Sequence, residues 1–168
     1  MCIRDSVWAC PAHYYTNFTY WTQHCWGVTC VNDMEAMLSY QPITIGDKEQ
    51  ALADLVRCYE KMMMRSHTNG GYVNLLDECW KMCEKFHTNI VIMYDHVSCK
   101  NVGGLHGLFE DQARERGIHL IWIPHDVMDP RTVSRREMRE AFSQYMVTVL
   151  NEKPLDPTLL DYEDALSW

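Results

Sequence analysis

The sequence predicts an α/β fold of the doubly wound type, built on a mostly parallel sheet. Three observations carry this reading: a continuously apolar run rich in β-branched residues, Ile90–Tyr94, with a second strand of the same buried kind at Ile118–Pro124; helical spacing of apolar residues between and after them; and turn residues where the period changes. A strand that is apolar throughout is covered on both faces, as parallel strands are. Strand, helix, strand, helix in that order then makes a parallel sheet with right-handed crossovers.

Taken in order, Val7–Val31 is aromatic-rich, with Trp8, Tyr14, Tyr15, Phe18, Tyr20, Trp21 and Trp26, and keeps neither period; it reads as one helix flanked by short strands. Asn32–Ile45 reads as turn and loop and ends in Gly46–Asp47. Asp47 can cap a helix, with Gln50 placed to reach back to the cap, and Leu52, Leu55, Val56, Tyr59, Met62 and Met63 follow at helical spacing as a buried face. His67–Gly71 stops that helix, and the next, Tyr72–Phe86, carries Leu75, Leu76, Cys79, Trp80 and Cys83 on one stripe. The strand Ile90–Tyr94 follows, then a helix Gly104–Arg116 ended by Gly117, then the strand Ile118–Pro124. In the last helix, Ser134 and Glu137 form an S-x-x-E capping box ahead of Met138, Ala141, Phe142, Tyr145, Met146, Val149 and Leu150. The domain expected is flavodoxin- or Rossmann-like over residues 47–150, with 7–46 a remnant of a preceding region and 151–168 an exposed tail available to wrap a partner.

Residues 1–6 stand apart. Met1-Cys2-Ile3-Arg4-Asp5-Ser6 is what translation of a transposon-end sequencing adapter gives, so the expectation is that Cys2 is foreign and that the native protein continues upstream of Val7.

Composition limits the function. At 168 residues and 47% hydrophobic the chain can bury one core. A formal charge of -8 repels phosphate backbones and anionic lipid, which argues against nucleic acid and membrane surface as partners. No apolar run reaches the ~18 residues of a spanning helix. The expected location is cytoplasmic, where thiols stay reduced, so the eight cysteines are ligands or buried thiols rather than disulfides. Cys25-x4-Cys30 and Cys79-x3-Cys83 lack the C-x2-C spacing of zinc sites, and Cys79 and Cys83 fall on a packing stripe.

Parallel sheets bind ligands at the carboxyl ends of their strands. Two segments meet there: Asp95–Gly104 after the first buried strand, and His125–Arg131 after the second. Cys99 is the residue to single out, because Lys100 and the free N–H groups ahead of a Gly103-Gly104 helix start favour a thiolate. A small buried apolar residue is the alternative. The glycine pair can admit an anion or simply make a tight turn. His96 and His125 are proton carriers, ligands or structural histidines; Asp126 and Asp129 can cap the turn, and Arg131, Arg135 and Arg136 flank the last helix or meet phosphates.

At His96-Val97-Ser98-Cys99-Lys100 and at Gly117–Ser134, with its Asp126-x-x-Asp129-Pro130-Arg131-x-x-Ser134 segment, the chain resembles the C-terminal part of the 2-hydroxyacyl-CoA dehydratase family, which includes the benzoyl-CoA reductases. The resemblance is good over residues 89–150 and looser over 8–86. It implies a subunit of a heterodimer of two related chains, each holding a four-iron four-sulfur cluster on three cysteines. Cys99 is the position that matches one of those ligands, the other two lying in an N-terminal domain, so that Cys10, Cys25 and Cys30 are not the missing pair. His96, Ser98, Lys100, Gly103, Gly104, His125 and Asp126 are then the residues beside the cluster or along the pocket wall, and no general base is assigned.

The implied reaction is syn-elimination of water from an (R)-2-hydroxyacyl-CoA to the 2-enoyl-CoA, 2-hydroxyglutaryl-CoA being the first choice of substrate. One electron, supplied by a separate ATP-hydrolysing iron–sulfur activator protein, reduces the thioester carbonyl to a ketyl radical that expels the hydroxyl, and the electron returns at the end. A lone C-terminal fragment of such a subunit is expected to be inactive. The alternatives are a benzoyl-CoA reductase-type subunit and a non-catalytic α/β interaction domain in which Cys99 is merely buried.

Overall fold

The structure is a computed structural model that describes residues 3–8, 12, 14–33, 42–60 and 63–161. In chain order the elements are β1 (Ile3–Trp8), α1 (Phe18–Trp26), β2 (Val28–Asp33), α2 (Lys48–Glu60), α3 (Met63–Phe86), β3 (Ile90–His96), α4 (Lys100–Gly103), α5 (His106–Arg116), β4 (His119–His125) and α6 (Arg135–Thr148), followed by a 3-10 turn at Pro157–Leu159. The four strands form one parallel sheet in the order β2-β1-β3-β4. The predicted α/β class is therefore the one observed.

Alternation along each strand divides the core into two layers. Ile90, Ile92 and Tyr94 of β3 and Ile121 and Ile123 of β4 face α1 and α6, packing on Phe18, Trp21, Trp26, Met138, Phe142 and Met146. Val91 and Met93 of β3 and Leu120 of β4 face α3 and α5, packing on Leu76, Cys79, Trp80 and Phe109. The buried stripe read on the second half of α3 and the two apolar strands are where the sequence placed them. Residues 7–33, set apart in the sequence as a remnant, contribute two strands and a helix to the same sheet. Ile3–Ser6 form the first part of β1, in register with β2 and β3.

Five local readings need correction. The apolar stripe expected to bury α2 is exposed: Leu52 is 63% accessible, Val56 56% and Tyr59 61%. Among the described residues both sheet faces are covered by other helices, α1 and α6 on one and α3 and α5 on the other. The one buried residue of α2 is Asp54, whose carboxylate accepts from the Thr44 N–H at 3.0 Å, the Thr44 hydroxyl at 2.8 Å, Gln50 Nε2 at 2.9 Å and Arg57 Nη1 at 2.9 Å. Asp47 does cap α2, accepting from the N–H groups of Glu49 and Gln50, but the Gln50 side chain turns forward to Asp54 instead of back to the cap.

The break between the two helical runs is a single residue, Gly71, at φ 72°, where a side chain would be strained; His67–Gly70 remain helical. The helix expected from Gly104 starts earlier as the short α4 and restarts at His106. The segment after α6 is not a free tail as far as residue 161. The N–H groups of Leu155 and Asp156 donate to the Cys25 carbonyl at 2.7 and 3.3 Å, Trp21 Nε1 donates to the Leu159 carbonyl at 2.9 Å, and Leu159 and Leu160 pack on the core. Residues 162–168 lie outside the described residues, as do Met62 and Cys10.

The capping box of α6 is present in full. Ser134 Oγ accepts from the Glu137 N–H at 3.2 Å, and Glu137 Oε2 accepts from the Ser134 N–H at 2.7 Å. Ser134→Ala is expected to cost about 1 kcal/mol, read as a lower urea midpoint with unchanged slope. Among the described residues no helix is long and apolar enough to cross a membrane.

Candidate functional site

Parallel pairing of β3 with β4 sets His96 directly opposite His125, at the carboxyl end of both strands. Their rings are 5.5 Å apart at 83°, and the Tyr94 ring meets His125 edge-on at 5.2 Å. His125 is buried, since it belongs to the row of β4 that faces α1 and α6. His96 is half-buried. The backbone N–H of Ser98 donates to His96 Nδ1 at 3.0 Å. That nitrogen must then carry a lone pair, so the neutral ring keeps its proton on Nε2.

The turn that follows is tied back to β3. The Cys99 N–H donates to the His96 carbonyl at 2.8 Å, the Val97 N–H to the His125 carbonyl at 3.0 Å, and the Gly103 N–H to the Cys99 carbonyl at 3.1 Å. Cys99 is itself the N-cap residue of α4, its thiol half-buried and making no cap hydrogen bond, with the exposed Lys100 next to it. The N–H groups near the thiol belong to α4, not to a helix opening at Gly104 as the sequence suggested. Gly103 and Gly104 lie in this helical turn at negative φ and form no left-handed anion-binding loop. A Cβ on Gly104 would meet the Lys100 carbonyl at 3.0 Å, which explains glycine there by close approach.

After β4, Asp126 closes a turn by accepting from the N–H groups of Met128 and Asp129 at 2.9 and 3.0 Å. Those two bonds, and more weakly the nearby His96, hold its carboxyl below the usual range. Asp129 is pushed down to about 2 by the Arg131 guanidinium, which meets it at 2.7 Å. Arg135 Nε donates to the Tyr14 carbonyl and Arg136 Nε to Glu140, so these arginines flank α6 with partners in the protein. Cys99, Lys100, His96, Ser98, His125 and Asp126 therefore come from two adjacent loops at one end of the sheet. Cys25 and Cys30 sit on α1 and β2, and burial pushes their thiols up to about 11 and about 12; Cys79 and Cys83 are buried on α3.

A second cluster at the same sheet end, on the face of α5, was not singled out in the sequence. Asp95 Oδ2 lies 3.2 Å from His106 Nε2, the His106 ring stacks on Trp122 at 3.6 Å and 21°, and Trp122 Nε1 donates to Glu110 Oε1 at 2.6 Å. The available signals were the i, i+4 pair His106/Glu110 and an indole N–H in an otherwise apolar strand, which demands a polar partner.

The strand order reverses between β1 and β3, so the ligand crevice of a doubly wound sheet opens at the ends of those strands, beside the Cys99 turn. Residues 9–11, which follow β1, lie outside the described residues. An iron–sulfur cluster needs several thiolates, and among the described residues no three His, Cys, Asp or Glu side chains are grouped to hold a metal. Cys99 fits one ligand position, as an uncommitted thiol at a crevice edge, and does not supply a complete set.

A family model described as 2-hydroxyglutaryl-CoA dehydratase, D-component, matches residues 6–146. A search of the curated proteins gives no match.

Proposed function

The chain belongs to the 2-hydroxyglutaryl-CoA dehydratase D-component family, and from that premise we propose that it is a subunit of an iron–sulfur (R)-2-hydroxyacyl-CoA dehydratase, with Cys99 as one ligand of a four-iron four-sulfur cluster. The single observation that supports this most is the placement of Cys99, the N-cap residue of α4 beside the crevice of the sheet, whose thiol makes no cap hydrogen bond. When bound, the cluster supplies one electron to the substrate thioester, which allows the 2-hydroxyl to leave.

The roles left to this chain are holding and orienting. Cys99 holds iron; the ordered turn of His96 and Ser98 fixes its backbone; Lys100 adds positive charge beside the thiolate. His96 offers an Nε2–H donor, and the buried His125 packs edge-on against its ring. Gly103, Gly104 and Asp126 shape the wall. The substrate is a CoA thioester, 2-hydroxyglutaryl-CoA first. The partners are a second, related subunit and an ATP-dependent iron–sulfur activator, and the location is the cytoplasm. Exposed Leu52, Val56 and Tyr59 on α2 support a chain that meets another surface.

The test is anaerobic turnover of (R)-2-hydroxyglutaryl-CoA by the complete subunit with its partner, activator, ATP and reductant. Formation of the 2-enoyl-CoA supports the proposal. Reduction of an aromatic-ring thioester with no dehydration would move the chain to the benzoyl-CoA reductase branch.

A further inference from the structure

The turn that carries Cys99 runs from Asp95, near the end of β3, to His106, the first residue of α5, and those two residues face each other across its base at 3.2 Å. We infer that Asp95 and His106, backed by Trp122, form a charge-dependent clasp that sets the position of Cys99. His106 is a positioning residue in this scheme and touches no reactant.

Three features support it. The His106 ring is held in place by stacking on Trp122 at 3.6 Å, and the indole is fixed in turn by its N–H to Glu110 and by the edge contact with Phe109 at 6.2 Å. Leu105, just before His106, is buried, so the base of the turn is anchored while Ser98 and Lys100 at its tip are exposed. The buried Nε2 lies at ion-pair distance from Asp95 Oδ2, yet its N–H is off the line a hydrogen bond needs. The attraction is therefore mainly Coulombic and depends on the charge of the imidazole.

The charged groups around the ring are Asp95 from β3 and Glu110 on α5, held by the Trp122 N–H. A protonated His106 closes the clasp on Asp95. A neutral one leaves Nε2 buried with no hydrogen bond and lets the turn loosen. The inference deepens the reading of Cys99 as the functional thiol.

The experiment follows alkylation of Cys99 by iodoacetamide in the full, iron-free chain, resolved by peptide mass spectrometry. The half-buried Cys58 of α2 serves as internal reference, and His106→Phe shows how much of any change in the ratio comes from the two thiols themselves. The Cys99/Cys58 rate ratio is expected to rise about threefold between about pH 5 and 8, the size a half-exposed ion pair allows. His106→Phe, which keeps the stack and loses the charge, should fix the ratio high. His106→Arg, which stacks and is always charged, should fix it low. A flat wild-type profile, or a His106→Phe profile that still follows the wild type, overturns the clasp. Should a variant fail to fold, the wild-type profile alone decides. Because the readout needs no iron, a rising ratio in a subunit that binds no cluster would keep the clasp and sink the cluster reading, and a flat ratio in a cluster-bearing subunit would do the reverse.

Discussion

Replacing Asp5 by Val is expected to stabilise the folded chain by about 4 kcal/mol at pH above 7 and to remove a loss of stability expected of the parent between about pH 4 and 7. Asp5 lies in β1 between β2 and β3, fully buried, with both carboxylate oxygens lacking a hydrogen bond. The Cys30 thiol is close enough to help it slightly, but that thiol bonds to the Asn32 carbonyl at 3.4 Å. Burial pushes the carboxyl from its ordinary 3.8 up to about 7. The unfolded chain thus releases the proton near 3.8 while the folded chain holds it to about 7, so stability is fully present below the lower value and lost as pH rises to the upper one. At ~1.36 kcal/mol per pKa unit that loss is about 4 kcal/mol. Asp126, Asp129 and Glu137 are held low and act in the opposite sense, losing stability as pH falls below about 4, so they leave this window clear. Urea unfolding across the window checks it. Equal slopes for parent and variant would contradict the burial of Asp5.

Cys99→Ala in the complete subunit is expected to leave the fold intact and to remove the cluster. The thiol is only half-buried and makes no hydrogen bond as a cap, so truncation opens no cavity in the core and costs within ~0.5 kcal/mol. If Cys99 is a ligand, dehydration should fall at least about a hundredfold, the upper end of what loss of a mere outer-shell partner costs at a metal site. Thermal unfolding and turnover measured on the same sample separate the two effects. A variant that unfolds early would assign Cys99 to packing.

What the sequence shows of this fold depends on whether a signal is local. Ile90–Tyr94 reads as a covered strand because every residue is apolar, and Ser134/Glu137 reads as a cap because both partners of the box are three residues apart. The α2 stripe shows the limit: its spacing states which face is apolar, and only the covering of both sheet faces by other helices decides that it stays exposed. The residues after α6 look like a tail because the groups that hold them, Cys25 and Trp21, are more than a hundred positions away.

The candidate site divides in the same way. Cys99, Lys100, His96 and His125 are legible because two consecutive parallel strands must end side by side. Asp95, His106 and Trp122 are not, since their meeting depends on which sheet face α5 covers and on the ring row that β4 turns toward it. Asp5 is a case where local sequence and fold disagree. A charged residue occupies a strand position where the fold favours an apolar one.

The most direct test of the central claim is the iron and acid-labile sulfide content of the complete subunit, purified with its partner under strict exclusion of oxygen, with and without Cys99. The account predicts about four of each per subunit in the parent and close to none in Cys99→Ala. Full iron and sulfide in the variant, or zinc or no metal in the parent, would contradict the assignment of Cys99 to a cluster and with it the radical dehydration.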